Sequence, residues 1–423
     1  MGYFYISTII VFLAAIFGYF NTRFLKLPNT IGLMLITIVF SLGTFGLSYF
    51  DDTILNAEEY VIQQIDFRKI VLDFMLGFIL FAGGLHTDLN KLKMQRWPVI
   101  VFATVGVLIS TFLVGILIYY LLNLFLGLDL NYLNCLLFGA LISPTDPIAV
   151  LGILRKAGID KKLEIKIVGE SLFNDGIGIV IFLTLFNTVS MGGEGSGVWQ
   201  ILKLFGQEAV GGVALGLSLG WLTHKVMQTI DDYNIEVILT LATVMVGSAI
   251  AQQLQLSAPL ALATAGLFVG RETVRIGAMS DRTENYVDKF WELIDILFNT
   301  ILFVLIGMEI LVLTVKGEYF LAGAIAIPVV LICRYLSLLG PVNIFEKGFA
   351  FFPTNIRIMT WGGLRGGISI ALALGLTEEM HRDLFLVMTY CVVVFAIIVQ
   401  GLTVHNFVKS DKNEAEKEVS TAS

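Results

Sequence analysis

The most informative part of this sequence is the stretch GESLFNDG at residues 169–176. It places two carboxylates, an amide and a hydroxyl at the start of a long apolar run. At helical spacing, Glu170 and Asn174 share one face of the helix, and Ser171 and Asp175 share the adjacent face. Charged side chains at mid-depth in lipid are costly, and they mark ion pathways or proton relays. If the chain spans a membrane, this pair of acids indicates a proton or cation pathway.

The composition favours a membrane protein. Apolar residues make up 57% of the 423 residues, and charged residues only 14%, whereas soluble domains carry about 25% charged residues. Repeated apolar windows of about 20 residues are typical of membrane-spanning helices. We therefore predict an all-α polytopic membrane domain at residues 1–408 and a short, disordered tail at 409–423, which is rich in Lys, Glu and Ser. The net charge of −7 indicates no nucleic-acid partner.

Hydropathy windows predict about thirteen spans, the first near residues 3–21 and the last near 383–407. Placing the C-terminus inside puts most of the 27 Lys and Arg residues in cytoplasmic connections, as the positive-inside rule requires. We therefore expect a plasma (inner) membrane protein with its N-terminus outside. Span ten, near 290–314, begins with Glu292 and Asp295, which we expect to lie near the interface and to be solvated.

Two of the predicted spans carry helix-breaking sequences. Span five contains SPTDP at residues 143–147, and span twelve contains GGLRGG at residues 362–367. Prolines remove backbone donors and glycines loosen a helix, and such breaks are tolerated in lipid only beside protein or water. Each break also holds one charged residue, Asp146 in the first and Arg365 in the second.

The spacing of the two broken spans indicates an internal repeat. They are seven helices apart, so they run through the membrane in opposite directions. This predicts two inverted six-helix repeats, at about 1–190 and 235–408, joined by a linker helix at about 200–223. Paired interrupted segments in the two halves of a transporter point to its binding site.

The polar residues near the first break suit a small hard cation. Asp175 and Asp146 can supply charge, Thr145 and Ser171 can supply hydroxyls, and the opened backbone can supply carbonyls. A proton competes with the cation for the same carboxylate oxygens, and that competition is sufficient for exchange. The sequence has no G-x-x-x-x-G-K-[ST] motif for ATP. We therefore expect a secondary transporter without cofactors, not an enzyme.

Two arginines fall inside predicted spans and require counter-charges, because a guanidinium does not deprotonate in proteins. For Arg334, in span eleven, the candidate is Glu170. For Arg365 the candidates are Asp146 and backbone carbonyls. We expect the pair of Glu170 and Arg334 to have a mainly structural role.

Taken together, SPTDP at 143–147, Glu170-x-x-x-Asn174-Asp175, Arg334 and GGLRGG at 362–367 resemble the NhaP-type monovalent cation/proton antiporters, the first cation/proton antiporter family within the sodium/proton exchangers. The resemblance covers essentially the whole membrane domain, and it implies a homodimer with a core domain that moves against a dimerisation domain. It also implies electroneutral exchange of one Na⁺ or Li⁺ for one H⁺, as is typical of members with Asn-Asp.

The resemblance also assigns roles to individual residues. Asp175 matches the family's ion- and proton-binding carboxylate, and Asn174 matches its neighbour. Thr145 and Asp146 match positions in the unwound helix, and Ser171 is an additional ligand for Na⁺. The remaining matches are the structural ion pair, Glu170 and Arg334, and the modulating arginine at the helix crossing, Arg365.

Three alternatives stay open from the sequence. K⁺/H⁺ exchange could use the same scaffold, because side-chain types do not fix the size of the ion site. A cation channel fits poorly with thirteen spans and an inverted repeat. An intramembrane hydrolase lacks a G-x-S-x-G segment.

Overall fold

The structure is a computed structural model, and it describes residues 3–47, 69–146, 148–190, 198–271, 279–309, 316–344 and 353–408. All regular secondary structure within these ranges is helical. In this part of the chain, eight helices are long and apolar enough to cross a membrane, and two shorter apolar helices accompany them. The prediction of an all-α polytopic membrane protein is therefore confirmed. Pro147 and the predicted tail at 409–423 lie outside the described residues.

The helices follow one another along the chain. The first half holds α1 Tyr3–Phe20, α2 Asn29–Leu47, α3 Leu76–Leu85, α4 Leu89–Met94, α5 Arg96–Val101, α6 Val107–Leu126, α7 Tyr132–Ile142, α8 Ile148–Ala157 and α9 Lys161–Ser190. The second half holds α10 Val198–Met227, α11 Tyr233–Gln253, α12 Ala258–Val269, α13 Asp281–Glu309, α14 Gly317–Ile344, α15 Pro353–Trp361, α16 Gly367–Leu374 and α17 Arg382–Phe395. Short π-helical segments lie at Asn21–Leu25, Lys69–Met75, Phe102–Gly106 and Ala396–Gln400.

Polar caps set where several of these helices begin. The Asn131 side chain accepts a hydrogen bond from the backbone of Leu133 at the start of α7. Asp232 caps α11 in the same way, and Ser257 caps α12. Such caps satisfy backbone N–H groups that have no partner within the helix. At the other end of a helix, Gly127 stops α6 with a φ of 62°, a conformation that glycine adopts without strain.

The two predicted helix breaks are both present. The first separates α7, which ends at Ile142, from α8, which begins at Ile148. The second separates α15 from α16. The two breaks touch, because the backbone N–H of Asp146 donates to the carbonyl of Leu364 at 2.8 Å. The opened backbone of each break is therefore partly satisfied by the other.

Helix α9 lies directly against the first break. A Cβ atom built on Gly178 would lie 2.3 Å from Cγ of Pro144, so only glycine permits this close approach. Gly178 lies three residues after Asp175, or about one helical turn. The close packing therefore carries the acidic part of α9 to the place where the chain is broken.

One prediction about span ten is wrong. Helix α13 begins at Asp281, well before the hydropathy window that starts near residue 290. Polar residues in its first turns lower the hydropathy without interrupting the helix. Asp295 therefore lies at the middle of α13, not near its start.

Candidate functional site

The four polar residues of α9 singled out from the sequence are all buried. Exposure of the whole residue is 1% for Glu170, 8% for Ser171, 0% for Asn174 and 8% for Asp175. They lie within about one and a half turns of one helix, so their side chains point to different neighbours. The partners of each side chain decide what it can do.

Asn174 ties α9 to the first break. Its side-chain Nδ2 donates to Oγ1 of Thr145 at 2.8 Å. Its Oδ1 accepts from the backbone N–H of Thr145 at 3.5 Å. Both functions of the amide are thus directed at one residue, which fixes the conformation of the broken segment. Thr145 itself is 4% exposed.

Arg365 reaches from the second break into the first. Its Nη1 donates to the backbone carbonyls of Ser143 and Pro144, the latter at 2.8 Å. The break at residues 143–147 interrupts the helical ladder, so carbonyls at its start need donors from elsewhere. Of the two candidate partners for Arg365, the structure shows backbone carbonyls. Arg365 thus places a positive charge where the first helix ends.

Ser143 adds a hydroxyl network that the sequence did not indicate. Its Oγ donates to the carbonyl of Gly139 at 2.7 Å and lies in hydrogen-bond contact with Oγ of Ser110 at 2.9 Å. It also lies 3.3 Å from Oγ1 of Thr111, which donates to it. Ser110 and Thr111 belong to α6, more than 30 residues away in sequence, and each is an ordinary helix residue by pattern. Only the packing of α6 on α7 reveals their role.

Glu170 and Arg334 form a buried, two-bond ion pair. Arg334 Nη1 donates to Oε1 at 2.6 Å, and Nη2 donates to Oε2 at 2.9 Å. The two residues are only 1% and 3% exposed. The parallel geometry matches the planar guanidinium to the carboxylate. The pair links α9 to α14, and both of its charges are neutralised within the protein.

Asp175 is buried on α9, and Asp146 lies in the first break. The charged side chains within electrostatic range of Asp175 are Asp146, Arg365 and Glu170. Asp146 is half-buried, and a Cβ atom built on Gly366 would lie 2.7 Å from its Oδ2. The glycine therefore makes room for the Asp146 carboxylate.

The structure thus brings most of the predicted site residues together. Asn174 and Thr145 are in contact, Arg365 bonds to the first break, and Asp175 lies within electrostatic range of Asp146 and Arg365. Ser171 is buried one helical turn before Asp175 on the same face of α9, and Glu170 and Arg334 form a separate pair. The arrangement offers carboxylate, hydroxyl and carbonyl oxygens, the ligand types that hard cations prefer.

Comparison with known proteins identifies the family of this chain. Residues 9–410 match the family described as "Sodium/hydrogen exchanger, transmembrane". The chain belongs to the sodium/hydrogen exchanger family. Within this family, the chain is 47% identical over 408 residues to the Na⁺/H⁺ antiporter NhaP of Pseudomonas aeruginosa, with 94% of each chain covered. It is also 35% identical to the Na⁺/H⁺ antiporter NhaH of Halobacillus aidingensis, over 92% of this chain and 93% of that one.

A solved exchanger structure has the same fold. The sodium proton antiporter MjNhaP1 of Methanocaldococcus jannaschii at pH 8 superposes with a TM-score of 0.77. The match covers 96% of this chain and 97% of that chain, at 19% sequence identity. The exchanger fold is therefore retained although most of the residues differ. The resemblance to NhaP-type exchangers inferred from the motifs is confirmed.

Proposed function

We propose that this exchanger moves Na⁺ or Li⁺ across the plasma membrane in return for H⁺, one ion for one proton. The observation that carries the proposal is the position of Asp175. It is buried beside Asp146 where two broken helices meet, in a chain of the sodium/hydrogen exchanger family. Buried acids inside a membrane are rare and serve ion or proton movement.

The proposed mechanism is competition at Asp175. With a proton on it, the carboxylate is neutral and binds no cation; without the proton, it offers two oxygens to Na⁺. Asp146, Thr145 and Ser171 complete the oxygen ligands, and Asn174 holds Thr145 in place for them. Because proton and cation exclude each other, the site carries one or the other each time its access changes sides.

Arg365 keeps the first break open in this mechanism. Its bonds to the carbonyls of Ser143 and Pro144 replace donors that the helix cannot supply. The positive charge also limits the net negative charge around the site, so the two acids do not hold a cation too tightly. The pair of Glu170 and Arg334 is a structural support, since both carboxylate oxygens of Glu170 already accept hydrogen bonds from Arg334.

The framework that we propose follows the sequence. It has about thirteen spans in two inverted repeats, at about 1–190 and 235–408, with a linker helix between them. The N-terminus lies outside, the C-terminus lies in the cytoplasm, and two copies form a homodimer. The offset of seven spans between the two broken spans supports the repeat, and the match to MjNhaP1 supports the exchanger fold. No cofactor is expected, because the ions themselves drive the cycle.

The test is ion-dependent proton flux in proteoliposomes with the membrane potential clamped. We expect Na⁺ and Li⁺ to drive proton movement, and we expect the variant Asp175→Asn to lose it, because an amide keeps the shape but carries no negative charge. The control Glu292→Gln removes an exposed acid of α13 and should keep full flux. Normal flux in Asp175→Asn would refute the assigned role.

Proton flux with other ions, and current in a planar bilayer, separate the alternatives. A response to K⁺ alone would replace the proposal with K⁺/H⁺ exchange. Flux that follows the clamped potential would rule out one-for-one exchange. A steady current in a planar bilayer without a proton gradient would indicate a channel.

A further inference from the structure

A small cavity lies beside the second break, between the two buried arginines. Its volume is about 10 Å³, which is close to the least space that holds one water molecule. Arg334 of α14 lines it together with Thr360 of α15, Gly363 and Arg365 of the second break, and Gln400. The four polar residues among these are at most 9% exposed. The cavity is therefore a polar space inside the protein.

One donor at this cavity lacks an acceptor. Nη1 and Nη2 of Arg334 donate to Glu170, but its Nε is buried and has no hydrogen-bond partner within the part of the chain that the structure describes. A Cβ atom built on Gly363 would lie 3.1 Å from this nitrogen, so Nε lies beside a glycine that lines the cavity. A buried N–H without an acceptor costs free energy, and more so on a charged group. The site therefore favours a ligand that accepts a hydrogen bond.

Arg365 has further donors at the same cavity. A guanidinium carries five N–H groups, and in the described ranges the hydrogen bonds of Arg365 all come from Nη1. Its Nε and Nη2 therefore have N–H groups for a ligand in the cavity that the residue lines. Two positive side chains at one small space exclude a cation by repulsion. The ligand is therefore neutral or negative.

The lining of the cavity also contains acceptors. Oγ1 of Thr360 donates to the carbonyl of Ile356 at 2.7 Å, and the same oxygen can still accept. Nε2 of Gln400 donates to the carbonyl of Trp361 at 2.9 Å, which fixes the amide and leaves Oε1 as an acceptor. An anion has no hydrogen to give these oxygens and is repelled by them. A water molecule accepts and donates, so it suits both kinds of lining group.

We propose that this cavity is the site of one buried water molecule, which accepts hydrogen bonds from Arg334 and Arg365 and donates to Thr360 and Gln400. The water joins the ion pair on α14 to the arginine that bonds to the first break. It thereby limits the movement of Arg365. The presence of the water is independent of the proposed function, whereas its effect on exchange rests on that function.

The direct test is a density map of the purified protein in which buried waters are resolved. We expect a peak at hydrogen-bond distance, about 2.7–3.2 Å, from Nε of Arg334 and from a nitrogen of Arg365. A map that shows other buried waters but no peak here would overturn the proposal. A peak that becomes stronger when bromide replaces chloride would identify an anion, and it would overturn the proposal as well.

A variant that fills the cavity gives a second test. Val392→Ile adds one methylene group at a residue that lines the cavity and is 3% exposed. We expect the larger side chain to displace the water and to leave Nε of Arg334 without an acceptor, which should lower the melting temperature by about 2–4 °C. If the site held no water, the added methylene would fill space and improve the packing. An unchanged or higher melting temperature would therefore contradict the proposal.

A matched background separates the loss of water from crowding. The double variant Glu170→Gln, Arg334→Met has no Nε to leave without an acceptor. Val392→Ile should therefore lower the melting temperature less in this background than in the parent protein. An equal decrease in both backgrounds would trace the effect to overpacking and would count against the water site.

Proton flux in the same variant tests the effect of the water on exchange. Because Arg365 bonds to the first break, Val392→Ile should reduce the flux per folded protein about threefold. Unchanged flux in a variant that has lost the peak would refute this effect.

The density map and the melting data do not depend on exchange, so the two proposals fail separately. A protein that shows the peak but does not exchange Na⁺ for H⁺ would count against the proposed function alone. A protein that exchanges these ions but shows no peak would overturn the water site alone.

Discussion

The two helix breaks differ in what holds them open. The first break, between α7 and α8, is rich in proline and is supported by side chains from other helices. Asn174 holds Thr145, and Arg365 holds the carbonyls of Ser143 and Pro144. The second break, between α15 and α16, is rich in glycine, and it supplies Arg365 to the first.

This difference follows from the residues that make each break. Proline removes donors and leaves carbonyls without partners, so the first break needs donors from outside. Glycine removes side chains, so the second break leaves room for neighbours. A Cβ atom on Gly366 would crowd Asp146, and one on Gly363 would lie 3.1 Å from Nε of Arg334. The first break therefore presents backbone carbonyl oxygens, and the second break leaves space for the charged side chains of Asp146 and Arg334.

The largest effect should come from the ion pair that borders the glycine break. Arg334→Ala leaves Glu170 buried without its partner, and we expect a loss of roughly 3–5 kcal/mol in the free energy of unfolding. Thermal melting in detergent and the yield of folded protein measure this loss. If the variant melts like the parent, the ion pair does not stabilise the protein next to the glycine-rich break.

A matched control separates the charge from the packing. The double variant Glu170→Gln, Arg334→Met removes both charges and keeps similar volumes, so it should melt closer to the parent than Arg334→Ala does. A double variant as unstable as Arg334→Ala would show that the side-chain packing, not the buried charge, stabilises this region.

The intermediate effect should come from the link between the two breaks. Arg365→Gln removes the charge and at least one of the two bonds to the first break, and we expect a loss of about 1.5–3 kcal/mol in the free energy of unfolding. Exchange should fall more than stability does, because the first break carries the proposed ion ligands. Melting and proteoliposome flux on the same preparation check this. Flux that falls only in proportion to the folded fraction would contradict the link.

The sequence predicted much of this architecture because lipid restricts what a buried polar residue can be. Prolines, glycines and charged residues inside apolar spans predicted both breaks and the ion pair of Glu170 and Arg334. The hydrogen-bond acceptors of Arg365 could not be predicted, because the sequence does not show whether a guanidinium bonds to a carboxylate or to backbone carbonyls. The contacts of Ser110 and Thr111 with Ser143 depend on helix packing, which no local pattern encodes.

The smallest effect should come from Asn174, which supports the first break from α9. Asn174→Ala removes the bond to Thr145 Oγ1 at 2.8 Å and the longer one at 3.5 Å, both neutral, so we expect a loss of about 1 kcal/mol in the free energy of unfolding. Thr145→Val removes the same hydroxyl bond from the other side. If the two residues act through each other, the double variant should lose less stability than the sum of the two single losses, and a double-mutant cycle on melting data measures this coupling. Additive losses would mean that Asn174 and Thr145 stabilise the protein independently and that their hydrogen bond does not hold the first break.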